Sequence, residues 1–362
     1  MKIKNIFFAA ILVLAGFSCS MEDDAIMNDV EKGIEEATEA YTVLDFGVAF
    51  NEMATKASTT VVPGEDRPAT GDENNDEKKI SEVSVFLLED GKVIGILIPQ
   101  NRNQVSSNSD GSITLKDLKF VTKYKTNRTL DAHVVINGNQ FLKNINIGDA
   151  QSALNQQISG CLSADQLIKY GSTRIVFGKD ITNSYSSPSV AENNPTTILV
   201  KVSHVAARLD FSQFDVTLKG FEGNPTVVFD EAKFVNLQQN GKIVEGDASV
   251  NVKDGAFLNR SNRIGTRWTD MGTAYGYANQ YKQDSEMNTA LYVKFTVDGR
   301  TFEKTYPINP AGITKEVDHN GIKGGYLYDL KVRWTITPDW GDSTIEFYTR
   351  DWVHNSIPEI VL

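Results

Sequence analysis

Short apolar or alternating runs, each closed by a turn signal, dominate this 362-residue chain and leave little room for anything but an all-β fold. Tyr41–Phe50 alternates cleanly, so that Leu44, Phe46, Val48 and Phe50 share one strand face. Residues 80–88 are apolar on both faces, as in a strand buried within a sandwich, and Asp90-Gly91 follows as a hairpin turn into residues 93–98. Residues 113–121 and Thr129–Ile136 continue the pattern, the latter ending at an Asn137-Gly138 turn. In the second half, residues 198–211, 214–218, 226–237, Ala290–Val297, 302–308, 326–337 and 344–348 read as strands. A single helix is expected after Asp149 as N-cap, with Leu154 and Ile158 one turn apart. The expectation is two β-sandwiches in tandem with minor helix.

The ends read differently from the body. Lys2 and Lys4, an apolar run to Gly16 and a small-residue exit at Cys19 form a secretory signal, too short to span a bilayer as a stable helix. Gly16-Phe17-Ser18-Cys19 places Cys19 where a lipoprotein would be cleaved and acylated, although Gly16 stands where a Leu is usual. The acidic Glu22-Asp23-Asp24 follows at once. The expected organisation is a signal peptide and lipidation site over 1–19, a propeptide over 20–56, one sandwich over 57–192 and a second over 193–362. Residues 183–195, rich in Ser, Asn and Pro, supply the boundary. Residues 63–78 carry Pro, Gly and six acids from Glu65 to Glu77, and are expected as an exposed loop.

The net charge is −11, of which residues 1–56 hold 10 acids against 4 bases. So mild an acidic excess on the remainder gives no basic footprint for nucleic acid. Chemistry is equally hard to find. His133, His204, His319 and His354 stand far apart, without metal-ligand spacing. The chain has no Gly-x-Ser-x-Gly elbow, no phosphate loop and no dinucleotide glycine pattern. Gly321 to Gly325 is glycine-rich, but strand residues follow it, not a helix. The acidic run departs from the spacing of a calcium-binding EF-hand loop. Cys161, the one other cysteine, is expected as a small buried hydrophobe. No catalytic residue, metal or cofactor is expected.

The order of these segments resembles the fimbrillin family of Bacteroidales, the major fimbrial subunits (pilins) of the FimA type. Tyr41–Phe50 followed by Ala54-Thr55-Lys56-Ala57 is similar to that family's first strand and trypsin-like processing site. Residues 79–88 resemble the first strand of the mature protein, and Arg128 to Asn137 a following core strand. Residues 202–211, with His204, Ala207 and Arg208, resemble the strand opening the second domain; residues 326–334 and 347–362, with Trp352, resemble the carboxyl end. The likeness runs over nearly the whole chain and is carried by order, not by any single motif.

The resemblance implies tandem transthyretin-like, Greek-key sandwiches and a precursor lipidated (palmitate) at Cys19 on the outer membrane. It implies a cut at Lys56–Ala57. Arg67 is the less favoured site, because Pro68 follows it. The strand bearing Leu44, Phe46, Val48 and Phe50 would then leave. The carboxyl segment 344–362 of another subunit, with Ile345, Phe347, Trp352, Val353, Ile357, Ile360 and Leu362, would fill the gap as donor. The implied partners are identical subunits in a self-polymer, accessory tip and anchor fimbrial proteins and a processing protease, all in a cell-surface fimbrium supporting adhesion. An accessory tip or anchor subunit, or a surface glycan-binding lipoprotein, are the alternatives.

Overall fold

Asp90 and Gly91 both take left-handed backbone angles, φ 51° and 73°, and so build the mirror-type turn whose twist matches a β-hairpin. That hairpin belongs to the computed structural model described here, which covers residues 39–50, 75–109, 112–244, 246, 248–259, 263–309, 320–339, 341–351 and 359–360. The protein is all-β, with only short helical turns among these residues.

The first half contains β1 (Tyr41–Phe50), β2 (Lys79–Ile80), β3 (Val83–Glu89), β4 (Lys92–Leu97) and β5 (Val105–Ser107). It continues with β6 (Ile113–Lys123), β7 (Thr129–Ile136), β8 (Gln157–Ser159), β9 (Lys169–Val176) and β10 (Thr196–His204). Eight of these form one sheet in the order β4-β3-β7-β9-β10-β1-β6-β5. The sheet curls over a single core, in which Val85 and Leu87 of β3 join Ile113 and Leu115 of β6. Gly95 of β4 faces the Phe120 ring of β6 so closely that a Cβ there would sit 2.8 Å from it. A glycine is what lets the two ends of the sheet meet.

The second half contains β11 (Ala207–Leu218), β12 (Val227–Val235), β13 (Leu237–Gln238), β14 (Asn240–Lys242), β15 (Val252–Lys253), β16 (Phe257–Asn259) and β17 (Arg263–Ile264). After these come β18 (Arg267–Gly276), β19 (Ala290–Val297), β20 (Arg300–Pro307), β21 (Tyr326–Ile336), β22 (Gly341–Asp351) and β23 (Glu359–Ile360). A four-stranded sheet, β18-β11-β21-β22, packs on a second sheet, β16-β12-β19-β20 with β17 attached to β12. Phe214 sits at the centre of the sandwich, with ring centroids 5.4 Å from Phe229, 5.2 Å from Trp268 and 5.3 Å from Phe295. Edge and tilted aromatic packing of this kind adds to simple area burial. A third cluster joins the halves: Phe86, Leu88 and Ile168 pack with Tyr277 and Leu327.

Several expectations are corrected. The strand expected over 198–211 is two strands, broken at Val205-Ala206; β10 lies in the first sheet and β11 in the second. The helix after Asp149 is a short turn over Gln151–Leu154, and Ile158 belongs to β8, which pairs with β14. Asn137 is left-handed (φ 57°) in the expected turn, and the chain goes on into a helical turn at Asn139–Leu142. Its side chain explains why: Oδ1 accepts from Ser81 N at 2.9 Å and Nδ2 donates to Lys79 O at 2.9 Å, stitching the turn to the chain before β3. The acidic run was expected to be exposed throughout, but Glu77 is fully buried.

Candidate functional site

The site is β1 and the slot that holds it. Leu44 to Phe50 run parallel to Thr196 to Val202 of β10, and the other edge of β1 runs antiparallel to β6. Every other pair in that eight-stranded sheet is antiparallel. The first strand therefore enters between two elements that do not otherwise pair. Leu44, Phe46 and Val48 are fully buried, Phe50 nearly so, and all four join the core beneath. Their burial is worth on the order of 6–12 kcal/mol of gross hydrophobic free energy, an upper bound because unfolded chains are already partly compact.

β1 also carries polar costs. Thr42 is fully buried, with Oγ1 lacking a hydrogen-bond partner among the described residues. An unsatisfied buried hydroxyl costs about 1–3 kcal/mol. Asp45 is half-buried; burial pushes its carboxyl above the usual range, although Phe46 N donates to Oδ1 at 2.9 Å. The strand is bulged there against β6. At its start, Glu39 pairs with Lys123, and Tyr41 OH donates to Glu39 Oε2 at 2.6 Å. These groups are solvent-facing and add little.

Beyond residues 51–74 the described chain resumes with a buried polar clasp. Arg208 Nη1 donates to Glu77 Oε2 at 3.0 Å, Tyr275 OH donates to Glu77 Oε1, and Lys169 Nζ donates to Glu77 O at 2.9 Å. Arg208 Nε also donates to Asp210 Oδ1 at 3.0 Å. Burial works against the Arg208 cation, yet Asp210 and Glu77 hold it above its usual range. Burial and the adjoining Glu77 carboxylate push the Tyr275 hydroxyl far above its ordinary value. Lys79–Ile80 then pair with Glu359–Ile360. Sequence reasoning missed this clasp, because its partners come from distant parts of the chain.

Of the other expected site residues, Cys19, Lys56, Ala57, Arg67, Trp352, Val353, Ile357 and Leu362 lie outside the described residues. Ile345 and Phe347 fall in β22, which pairs along its length with β21 of the same chain, and Ile360 falls in β23. Cys161 is half-buried, not fully enclosed; burial raises its thiol, and Gln140 Nε2 donates to Sγ at 3.1 Å. His133 and His204 are buried within strands, and His319 and His354 lie outside the described residues. Among the described residues no group of three or more His, Cys, Asp or Glu could hold a metal.

What the geometry defines is an all-β scaffold with an inserted first strand. Its shape is shared. A proposed cell adhesion protein from Parabacteroides distasonis superposes with a TM-score of 0.60 at 16% identity, covering 88% of this chain and 99% of the other. A second such protein from the same species gives 0.50 at 13% identity, covering 87% and 99%. A fimbrilin of Porphyromonas gingivalis is more remote, at 0.48 and 15% identity, covering 86% and 98%. The first two establish the fold; at these identities none assigns a role. No protein-family model matches the chain, and no curated protein matches it.

Proposed function

We propose that this chain is a non-enzymatic stalk subunit of a surface fimbria, exported as a lipoprotein precursor acylated at Cys19 and polymerised by strand exchange. The observation that supports the reading is β1 itself: an apolar strand set between β10 and β6, joined to the following chain through the segment that carries Lys56 and Arg67. A trypsin-like cut at Lys56–Ala57 would leave β1 held by non-covalent contacts alone. Its loss would open an apolar slot flanked by unpaired backbone of β10 and β6, the kind of site that recruits another strand. The polar costs at Thr42 and Asp45 favour a strand that can be let go. Division into two sandwiches is part of the proposal, the second beginning with β11 and not at 193, since β10 pairs within the first sheet; so are an outer-membrane precursor and accessory subunits at the fibre's ends.

The donor would come from residues 344–362 of a neighbour. One observation favours a second reading, an accessory tip or anchor subunit: β22 is fully paired in its own chain, and a subunit that keeps this strand at home has less to lend. Deleting residues 343–362 separates the two. A folded, exported protein that no longer sediments as fibres after shearing identifies the donor and the stalk. A truncated protein that unfolds makes the segment part of its own core and turns the assignment toward an accessory role.

A further inference from the structure

β1 is covered on its outer face as well as held at its edges. Leu44, Phe46, Val48 and Phe50 enter the core, so Tyr41, Val43, Asp45, Gly47 and Ala49 face the other way. Val43 has no exposed surface, yet it belongs to none of the three apolar clusters of the described residues. Ala191 is in the same position, fully buried and in no cluster. It is the one buried residue of a helical turn, Pro188–Glu192, that packs against β1 and β6. Two buried apolar groups on elements packed together account for each other.

The segment that carries this turn is tied down at both ends. Tyr185 N donates to Tyr41 O at 2.8 Å and Tyr41 N donates to Tyr185 O at 2.8 Å, an antiparallel bridge on the first residue of β1. Lys119 Nζ, from β6, donates to Glu192 O at 2.9 Å. Ser187 caps the turn, its Oγ accepting from Val190 N at 3.4 Å, and Pro188 fixes the first helical position. Beyond Glu192 the chain runs on into β10, the parallel neighbour of β1. The segment is thus tied to β1 and to both strands that flank it. Its hold is light, because Ala191 is the only buried residue from Thr182 to Asn194. A segment with so little buried apolar surface opens at low cost.

We propose that residues 185–192 form a strap over the outer face of β1, which must open before that strand can be exchanged. The inference rests on the strand-exchange reading and adds a barrier to it. Cutting the chain after β1 frees one end of the strand, and the strap keeps it seated until the strap lifts. Burial on the inner face sets how stable the seated strand is; the strap sets how fast it leaves. The same opening admits an incoming strand, whose outer side chain at the place of Val43 has to fit beneath Ala191.

The test compares the full-length chain with two variants, each uncut and after limited proteolysis within residues 51–74. Ala191→Gln forces bulk beneath the strap, and S187G/P188G removes its cap and its stiff first residue without touching β1. Backbone hydrogen exchange, read by mass spectrometry, follows β1, β7 and β21, and size-exclusion chromatography follows loss of β1 from the cut chains. In both variants Tyr41–Phe50 should exchange, and β1 should leave, about tenfold faster, the equivalent of losing the two Tyr41–Tyr185 bonds. Exchange in β7 and β21 should match the parent. Equal exchange and release in parent and variants overturns the strap and leaves strand exchange standing. Exchange in β7 that quickens as much as in β1 also overturns it, since the turn is then ordinary packing of the first core. A β1 that loosens in the variants but never leaves any cut chain upholds the strap and sinks strand exchange.

Discussion

Arg208 Nη1 lies 3.0 Å from Glu77 Oε2, and the Glu77 side chain has no exposed surface. The pair ties the first turn after residues 51–74 to β11 of the second sandwich. Glu77 thus closes over the polar outer face of a sheet whose inner face is aromatic core.

Removing Glu77 leaves Arg208 with Asp210 as counter-charge and takes the carboxylate acceptor from Tyr275 OH. Glu77→Ala is expected to cost about 1–3 kcal/mol, read as a lower urea midpoint with unchanged slope. Adding Arg208→Ala to it should cost less than the sum of the single changes, because both remove one interaction. Additive costs would mean that the pair contributes nothing to coupling the halves.

Phe46 anchors β1 in the first core. Phe46→Ala should destabilise the uncut precursor by about 3–5 kcal/mol. After proteolytic cutting within residues 51–74, the substituted strand should dissociate faster in size-exclusion chromatography than the parental one. An unchanged release rate would show that apolar burial is not what retains it.

Asp45 gives strand release a pH dependence with a definite sign. Burial raises its carboxyl above the ordinary 3.8, so the seated strand binds the proton more tightly than the released one. The benefit is fully present below the unfolded value and is lost as pH rises through the raised folded value. Release from the cut precursor should therefore accelerate as pH climbs out of that acidic window. Asp45→Asn keeps an acceptor for Phe46 N and removes the charge. It should flatten the profile and slow release at neutral pH. A variant with the parental profile would acquit Asp45.

Much of the sheet framework was legible because alternation is a local signal. Tyr41–Phe50, Thr129–Ile136 and Ala290–Val297 are strands with the expected bounds. Leu154 and Ile158 misled because both are buried and four residues apart, as on one helical turn, although Leu154 closes a short turn and Ile158 lies in β8. The break at Val205-Ala206 carries neither Gly nor Pro, so a two-residue change of sheet looked continuous. β9 and β18 escaped notice because Ser, Thr, Arg and Asp interrupt their apolar face. Glu77 gains meaning only from partners far along the chain, and no spacing announces it. The slot around β1 was half legible: its apolar face is written in the sequence, and its parallel neighbour β10 is not.

The central claim is that β1 belongs to the precursor and is absent from the fibre. The most direct measurement is the amino-terminal residue, by mass spectrometry, of the protein sheared from cell surfaces and recovered as fibres. The account predicts a chain beginning at Ala57, with no peptide containing Leu44 to Phe50. Fibres built of chains that still begin at a lipidated Cys19, with β1 retained, would contradict it.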